Sequence, residues 1–119
     1  MERMGIELHE VTPQRVTASM PVQGNTQPYG LLHGGASAVL AETVGSVAAA
    51  THTGPGRIAV GIELNCSHHR SVRTGSVHAI AKAVHRGGSL ATYAIRVTDD
   101  DDRLICTARL TCMLREQRV

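Results

Sequence analysis

ASAVLAETVGSVAAA, residues 36–50, is the stretch that decides how this chain folds. It is Ala-rich and nearly apolar on every side, and the breaker Thr53-Gly54-Pro55-Gly56 closes it, so it reads as a helix over Ala36–Ala50. No other stretch of the 119 residues makes a convincing helix. A helix apolar all round is usually buried all round, so the rest of the chain is expected to wrap it.

That remainder is written in strands. Ahead of the helix, Gly5–Val11 and Arg15–Met20 read as two short strands joined by a turn at Thr12 and Pro13. In the second, Val16, Ala18 and Met20 alternate with Arg15, Thr17 and Ser19, the period of a half-buried strand. Pro21–Gly30 is a loop rich in Gly, Asn, Gln and Pro. Behind the helix come Ile58–Asn65, Gly75–His85, Ser89–Thr98 and Arg103–Leu114. Gly87-Gly88 and the aspartate run Asp99–Asp102 supply hairpin turns, and no calcium-loop spacing accompanies the aspartates. The expected architecture is α+β: an antiparallel sheet of five to six strands wrapped around one long central helix, in a single domain over residues 1–119.

Composition narrows the function classes. There is no Phe, no Trp and only two Tyr, Tyr29 and Tyr93, so the core is built from Ala, Val, Ile, Leu and Met. Such small side chains bury little area each, which points to a subunit interface sharing the work of stability. A formal charge of +2 with so few aromatics for base stacking argues against nucleic acid. The apolar stretch is too short and too interrupted for a membrane span, and no signal-peptide pattern opens the chain. Cys66, Cys106 and Cys112 are odd in number and lack metal spacing. Cys106 and Cys112 lie roughly 20 Å apart along one strand, beyond disulfide reach. All three read as small core residues in a reducing cytoplasm.

Within the helix, Glu42 stands among Ala38, Val39, Ala41, Val44, Gly45 and Ala49. A carboxylate there is expected to be desolvated, which points either to function or to a structural acid satisfied by partners. Ser46, four residues on, shares its face. His33-Gly34-Gly35 precedes the helix; its glycines let a ligand approach unpaired first-turn N–H groups, or else simply make a tight lead-in turn capped by the histidine. Gly34 and Glu42 are eight residues apart, roughly 12 Å along a helix. They cannot both touch one reacting carbonyl within one chain, so a site that uses both is shared by antiparallel helices of two subunits.

A basic side gathers His68, His69, Arg70 and Arg73 with Lys82, His85 and Arg86. Arginine forks there suit phosphate, and Ser71 with the Gly87-Gly88-Ser89 turn adds donors; a solvated strand end is the plain alternative. Adjacent His68 and His69 point to opposite faces of a strand and make a poor zinc pair, so no metal is expected.

The run from Asn25 through Gln27, His33-Gly34-Gly35 and on to Glu42 resembles the signature of hotdog-fold acyl-CoA thioesterases of the phenylacetate-degradation type, nearest the 1,4-dihydroxy-2-naphthoyl-CoA thioesterase branch. Glu63-Leu64-Asn65, His68–Gly75 and Arg103–Thr111 are similar to the same branch, and the likeness runs from about Glu7 to Leu114. The resemblance implies Glu42 as catalytic carboxylate, nucleophile or general base, and Gly34 as the N–H that polarises the thioester carbonyl. It implies Gln27 and His33 as polar residues lining the thioester, and Ser46 as the hydroxyl that positions water. Gly61, His68, His69, Arg70 and Ser71, with His85, Arg86, Gly87, Gly88 and Ser89, are implied to bind the CoA moiety. It further implies an acyl-CoA substrate, whose acyl group the motif does not fix and the nearest branch makes aromatic by expectation, no cofactor, and a homodimer with shared sites, pairing into a dimer of dimers. Alternatives are a medium- or long-chain fatty acyl-CoA thioesterase, a non-catalytic acyl-CoA-binding hotdog protein and, on an Asp/His constellation not found here, an enoyl-CoA hydratase.

Overall fold

The computed structural model describes residues 2–117. After a short 3-10 turn at Glu2–Met4 come β1 (Glu7–Val11) and β2 (Arg15–Pro21), then the helix α1 (Gly34–Thr53). β3 (Arg57–His68), β4 (Ser76–Arg86), β5 (Leu90–Asp99) and β6 (Leu104–Glu116) complete the chain. The six strands form one antiparallel sheet in the order β1-β2-β4-β5-β6-β3. This is the α+β architecture expected, with both hairpin turns where the glycines and aspartates put them.

α1 crosses one face of the sheet and carries the chain from β2, next to one edge, to β3 on the opposite edge. It is longer than Ala36–Ala50 at both ends. At its start His33 is the N-cap, and His33 Nδ1 accepts the Gly35 N–H at 2.8 Å. At its end Thr53 Oγ1 donates to the Ala50 carbonyl, and Gly54, at φ 73°, adds its N–H to the same oxygen.

The core is small-chained as composition requires. Val16, Leu40, Val44, Val77, Ile95, Val97 and Leu110 are sealed from solvent, with Met20 and Tyr93 the largest among them. Tyr93 can be buried because its hydroxyl donates to the Pro13 carbonyl at 2.9 Å, tying the β1–β2 turn to the sheet. Cys106 and Cys112 are buried and Cys66 half-buried, all as free thiols. Burial pushes the Cys106 thiol up to about 11, so it is inert as a nucleophile near neutral pH.

One expectation fails in an instructive way. α1 is not buried on every side: Ala36, Ser37, Leu40, Ala41, Val44, Gly45, Ala48 and Ala49 pack on the sheet, while Val39 (42% exposed) and Glu42 face outward. A single sheet has only one concave face to offer. The desolvation expected for Glu42 is therefore not supplied within one chain. β3 is open on the same flank, an edge strand with Val60 and Ile62 exposed, Ile62 by 52%.

Candidate active site

Two loops and the start of α1 meet around a cavity of about 530 Å³ lined by Gln27, Leu31, Leu32, His33, Gly34, Ser37 and the segment His68–Ser71. The loop before the helix is held by Asn25, whose side-chain amide donates to the Met4 and Pro21 carbonyls while its own carbonyl accepts the His33 N–H. Leu32 N–H, in turn, is bound by the Val72 carbonyl at 2.7 Å, which brings residues 68–71 alongside. Long-range backbone bonds thus shape the cavity.

The first turn of α1 has a simple hydrogen-bond census. Gly35 N–H goes to His33 Nδ1, and the Ala36 and Ser37 N–H groups go to the His33 carbonyl. Gly34 N–H alone in this turn has no acceptor among the described residues. It sits at the positive end of the helix dipole, in a residue that lines the cavity with Gln27, His33 and His68, which is where a donor stabilises a carbonyl oxygen gaining charge. Accepting at Nδ1 leaves the proton of a neutral His33 ring on Nε2, a second donor nearby. Gln27 Oε1 takes the Tyr29 N–H, and the Gln27 NH₂ has no partner among the described residues. His68 lies against Gly34: a methyl built on Gly34 would come within 3.3 Å of His68 Nε2. His69 also lines the cavity, but its Nε2 is engaged with Thr107 Oγ1 at 2.9 Å.

Glu42 lies further along α1, on its open face with Ser46. Its carboxylate reaches over β3, where a methyl on Gly61 would lie 3.5 Å from Glu42 Oε2. Next to Gly61 the β3–β6 register slips, leaving a bulge at Ile62. Two thiols feel the carboxylate. Burial raises the Cys112 pKa, and the Glu42 charge raises it further. Cys66 is raised chiefly by burial, with the same charge adding to it.

The remaining residues of the basic side lie elsewhere. His52, at the far end of α1, hydrogen-bonds the Gly87 carbonyl, which puts the His85–Ser89 turn at the opposite end of the 20-residue helix from Gly34. That separation is about 30 Å by helical rise. His85 and Arg86 line a different hollow with Arg15 and Lys82. One chain therefore brings together Gln27, His33, Gly34 and His68–Ser71, and separately Glu42 with Gly61, but not the turn at 85–89. Ser37, nearly fully buried on the cavity wall, was not singled out from sequence. A serine one turn into an Ala-rich helix carries no signal of its own.

Comparison with known proteins agrees with this geometry. Residues 29–106 match the family model described as the thioesterase superfamily. The chain is 43% identical over 112 residues to the proofreading thioesterase EntH of Cronobacter turicensis, covering 93% of this chain and 82% of that protein. It is 42% identical over 109 residues to the 1,4-dihydroxy-2-naphthoyl-CoA hydrolase of Escherichia coli, covering 91% and 80%. A crystal structure of a mutant of thioesterase PA1618 from Pseudomonas aeruginosa superposes with a TM-score of 0.93 at 40% identity, over 98% of this chain and 85% of that one. With sheet, helix and family model in agreement, the chain belongs to the thioesterase superfamily and is a hotdog-fold thioester hydrolase.

Proposed function

We propose that this protein hydrolyses acyl-CoA thioesters, with aromatic acyl groups of the 1,4-dihydroxy-2-naphthoyl or a related aryl type as the preferred class. The observation that carries the reading is the unpartnered Gly34 N–H at the head of α1, in a cavity with Gln27, His33 and His68. In the proposed reaction that N–H polarises the thioester carbonyl, and Gln27 and His33 orient it. Glu42 supplies the carboxylate, attacking the carbonyl carbon itself or taking a proton from an attacking water, which Ser46 helps to hold. The carbon–sulfur bond then breaks and CoA leaves as the thiol. In the general-base route the acid forms directly with the oxygen of the attacking water. In the nucleophilic route the acyl group stays on Glu42 as a mixed anhydride until a water hydrolyses it to the carboxylic acid and frees Glu42.

Because Glu42 stands eight residues from Gly34, roughly 12 Å by helical rise, the reaction requires the Glu42 of one subunit and the Gly34 of another. The open face of α1 and the uncovered edge of β3 are what support a second copy on this flank. Antiparallel helices across that junction would also bring the 85–89 turn of one chain toward the His68–Ser71 segment of the other, uniting the proposed CoA-binding residues. Two such dimers pairing into a tetramer complete the proposal.

Glu42→Gln tests the chemistry. The variant is expected to keep its fold and oligomeric state while turnover falls at least about 10²-fold, the low end for a lost acid–base group. Wild-type rates on every acyl-CoA offered would sink the assignment. A panel of benzoyl-, naphthoyl-, phenylacetyl- and fatty acyl-CoA tests the acyl class. The leucines lining the cavity, without a Phe or Trp, favour aliphatic chains as the second reading, and a strong preference for long fatty acyl-CoA would install it.

A further inference from the structure

Leu110 of β6 is fully buried at a point where two missing side chains meet. A methyl built on Gly45 of α1 would lie 2.7 Å from Leu110 Cδ2, 3.3 Å from its Cβ and 3.5 Å from its Cγ. On the other side, a methyl on Gly61 of β3 would lie 3.6 Å from Leu110 Cδ1 and 3.5 Å from Glu42 Oε2. One leucine therefore fills the space between a glycine three residues along the helix from Glu42 and the glycine over which the Glu42 carboxylate extends.

We infer that Leu110, wedged between Gly45 and Gly61, is a positioning residue that sets where the Glu42 carboxylate stands. The inference rests on the proposed role of Glu42. Its physical basis is that the helix can seat this deeply on the sheet only because Gly45 has no Cβ. Relief of a methyl at 45 has two routes, and both end at Glu42. If Leu110 turns away from the helix, its other methyl is driven toward Gly61 and the carboxylate. If the helix lifts instead, it carries Glu42 with it, because three residues of regular helix move as a unit. Weakening of the helix itself does not enter, since alanine is the better helix former.

The experiment is kcat and KM on one acyl-CoA that the wild type hydrolyses, for Glu42→Gln, Gly45→Ala, Leu110→Val and the double variant Gly45→Ala/Leu110→Val. Circular dichroism and size exclusion establish fold and assembly. Gly45→Ala is expected to lower kcat about 10- to 100-fold, as a misplaced group does, with KM within about twofold. The double variant, which removes the colliding Cδ methyls, is expected to recover kcat to within about threefold of wild type. Loss of packing alone would make the double variant worse than either single change. A wild-type kcat in Gly45→Ala, or a double variant no better than Gly45→Ala, overturns the inference. Should Gly45→Ala fail to fold, Leu110→Val decides: a lowered kcat at unchanged KM supports the wedge, and an unchanged kcat overturns it. Glu42→Gln separates the two levels. Full turnover there removes the proposed function and this inference together, whereas its loss beside an intact Gly45→Ala removes only the inference.

Discussion

The two ends of α1 are secured in different ways. At the C-terminal end a threonine and a left-handed glycine share one helix carbonyl, and side chains tie the end of the helix and the start of β3 to neighbouring strands and turns. Thr53 and Gly54 both serve the Ala50 carbonyl, His52 reaches the Gly87 carbonyl, and Arg57 donates to the Gly88 and Leu114 carbonyls. At the N-terminal end His33 takes care of three N–H groups and Gly34 is left open. A helix nailed to its sheet at one end can hold a free donor steady at the other. On the proposed function, stability and chemistry fall at opposite ends of one element.

The largest expected effect breaks the open end. Gly34→Pro deletes the N–H at the first helical position, where proline is otherwise well tolerated. The preceding His33, at φ −68° and ψ 131°, already has the backbone a pre-proline residue adopts. Turnover is expected to fall about 10²- to 10³-fold, as for a lost oxyanion donor. Gly34→Ala adds bulk against His68 but keeps the N–H, and a milder loss, about 10-fold or less, is expected of it. Equal losses in the two variants, measured as kcat on the same thioester, would show that the N–H is not what matters there.

At the closed end the expectation reverses. Arg57→Ala forfeits two bonds from a guanidinium to carbonyls and is expected to lower unfolding stability by about 1.5–3 kcal/mol, read from urea midpoints. Its kcat is expected to stay near wild type, and a kcat that fell in step with stability would erase the division of labour between the ends. Gly54→Ala is the smallest change. A side chain at φ 73° is expected to cost about 1 kcal/mol in the same unfolding measurement, with no change in rate.

Much of this was legible in the chain. The Ala-rich stretch with its Gly-Pro-Gly stop gave the helix, the alternation of Val16, Ala18 and Met20 gave a half-buried strand, and the aspartate run gave a turn. Asp99 shows why that turn holds. Burial would push its carboxyl up, but the Arg103 and Asp101 N–H groups and the Arg103 guanidinium together outweigh this and hold it below the usual carboxylate range. His33 could be read as a capping histidine or as part of a site, and the geometry shows it as the N-cap while also lining the cavity.

Other features depend on facts that no local pattern carries. That β3 lies on the far edge beside β6 follows from the path of α1, not from anything in Arg57–His68. The strand expected over Ile58–Asn65 is longer than its pattern suggests, since Cys66, Ser67 and His68 go on to pair with Ala108, Thr107 and Cys106. Glu42 was expected to be desolvated because its helical neighbours are apolar. Burial is decided by what lies across from a residue, and Glu42 extends over β3 at Gly61 yet stays exposed. The contacts of Leu110 with Gly45 and Gly61 were invisible for the same reason, since the three residues come from three elements.

The uncovered edge of β3 has a consequence for the life of a newly made subunit. Twelve residues of strand present unpaired backbone groups, with valine and isoleucine among the exposed side chains and neither proline nor lysine to discourage an unwanted neighbour. Until something pairs with that edge, any extended segment in the surroundings is a competitor for it. Under the proposed dimer, dilution, which protects most small proteins from clumping, would lengthen the time this edge spends open. If a sister chain is what covers it, as the proposed dimer requires, synthesis with sister chains close at hand is its safest nursery.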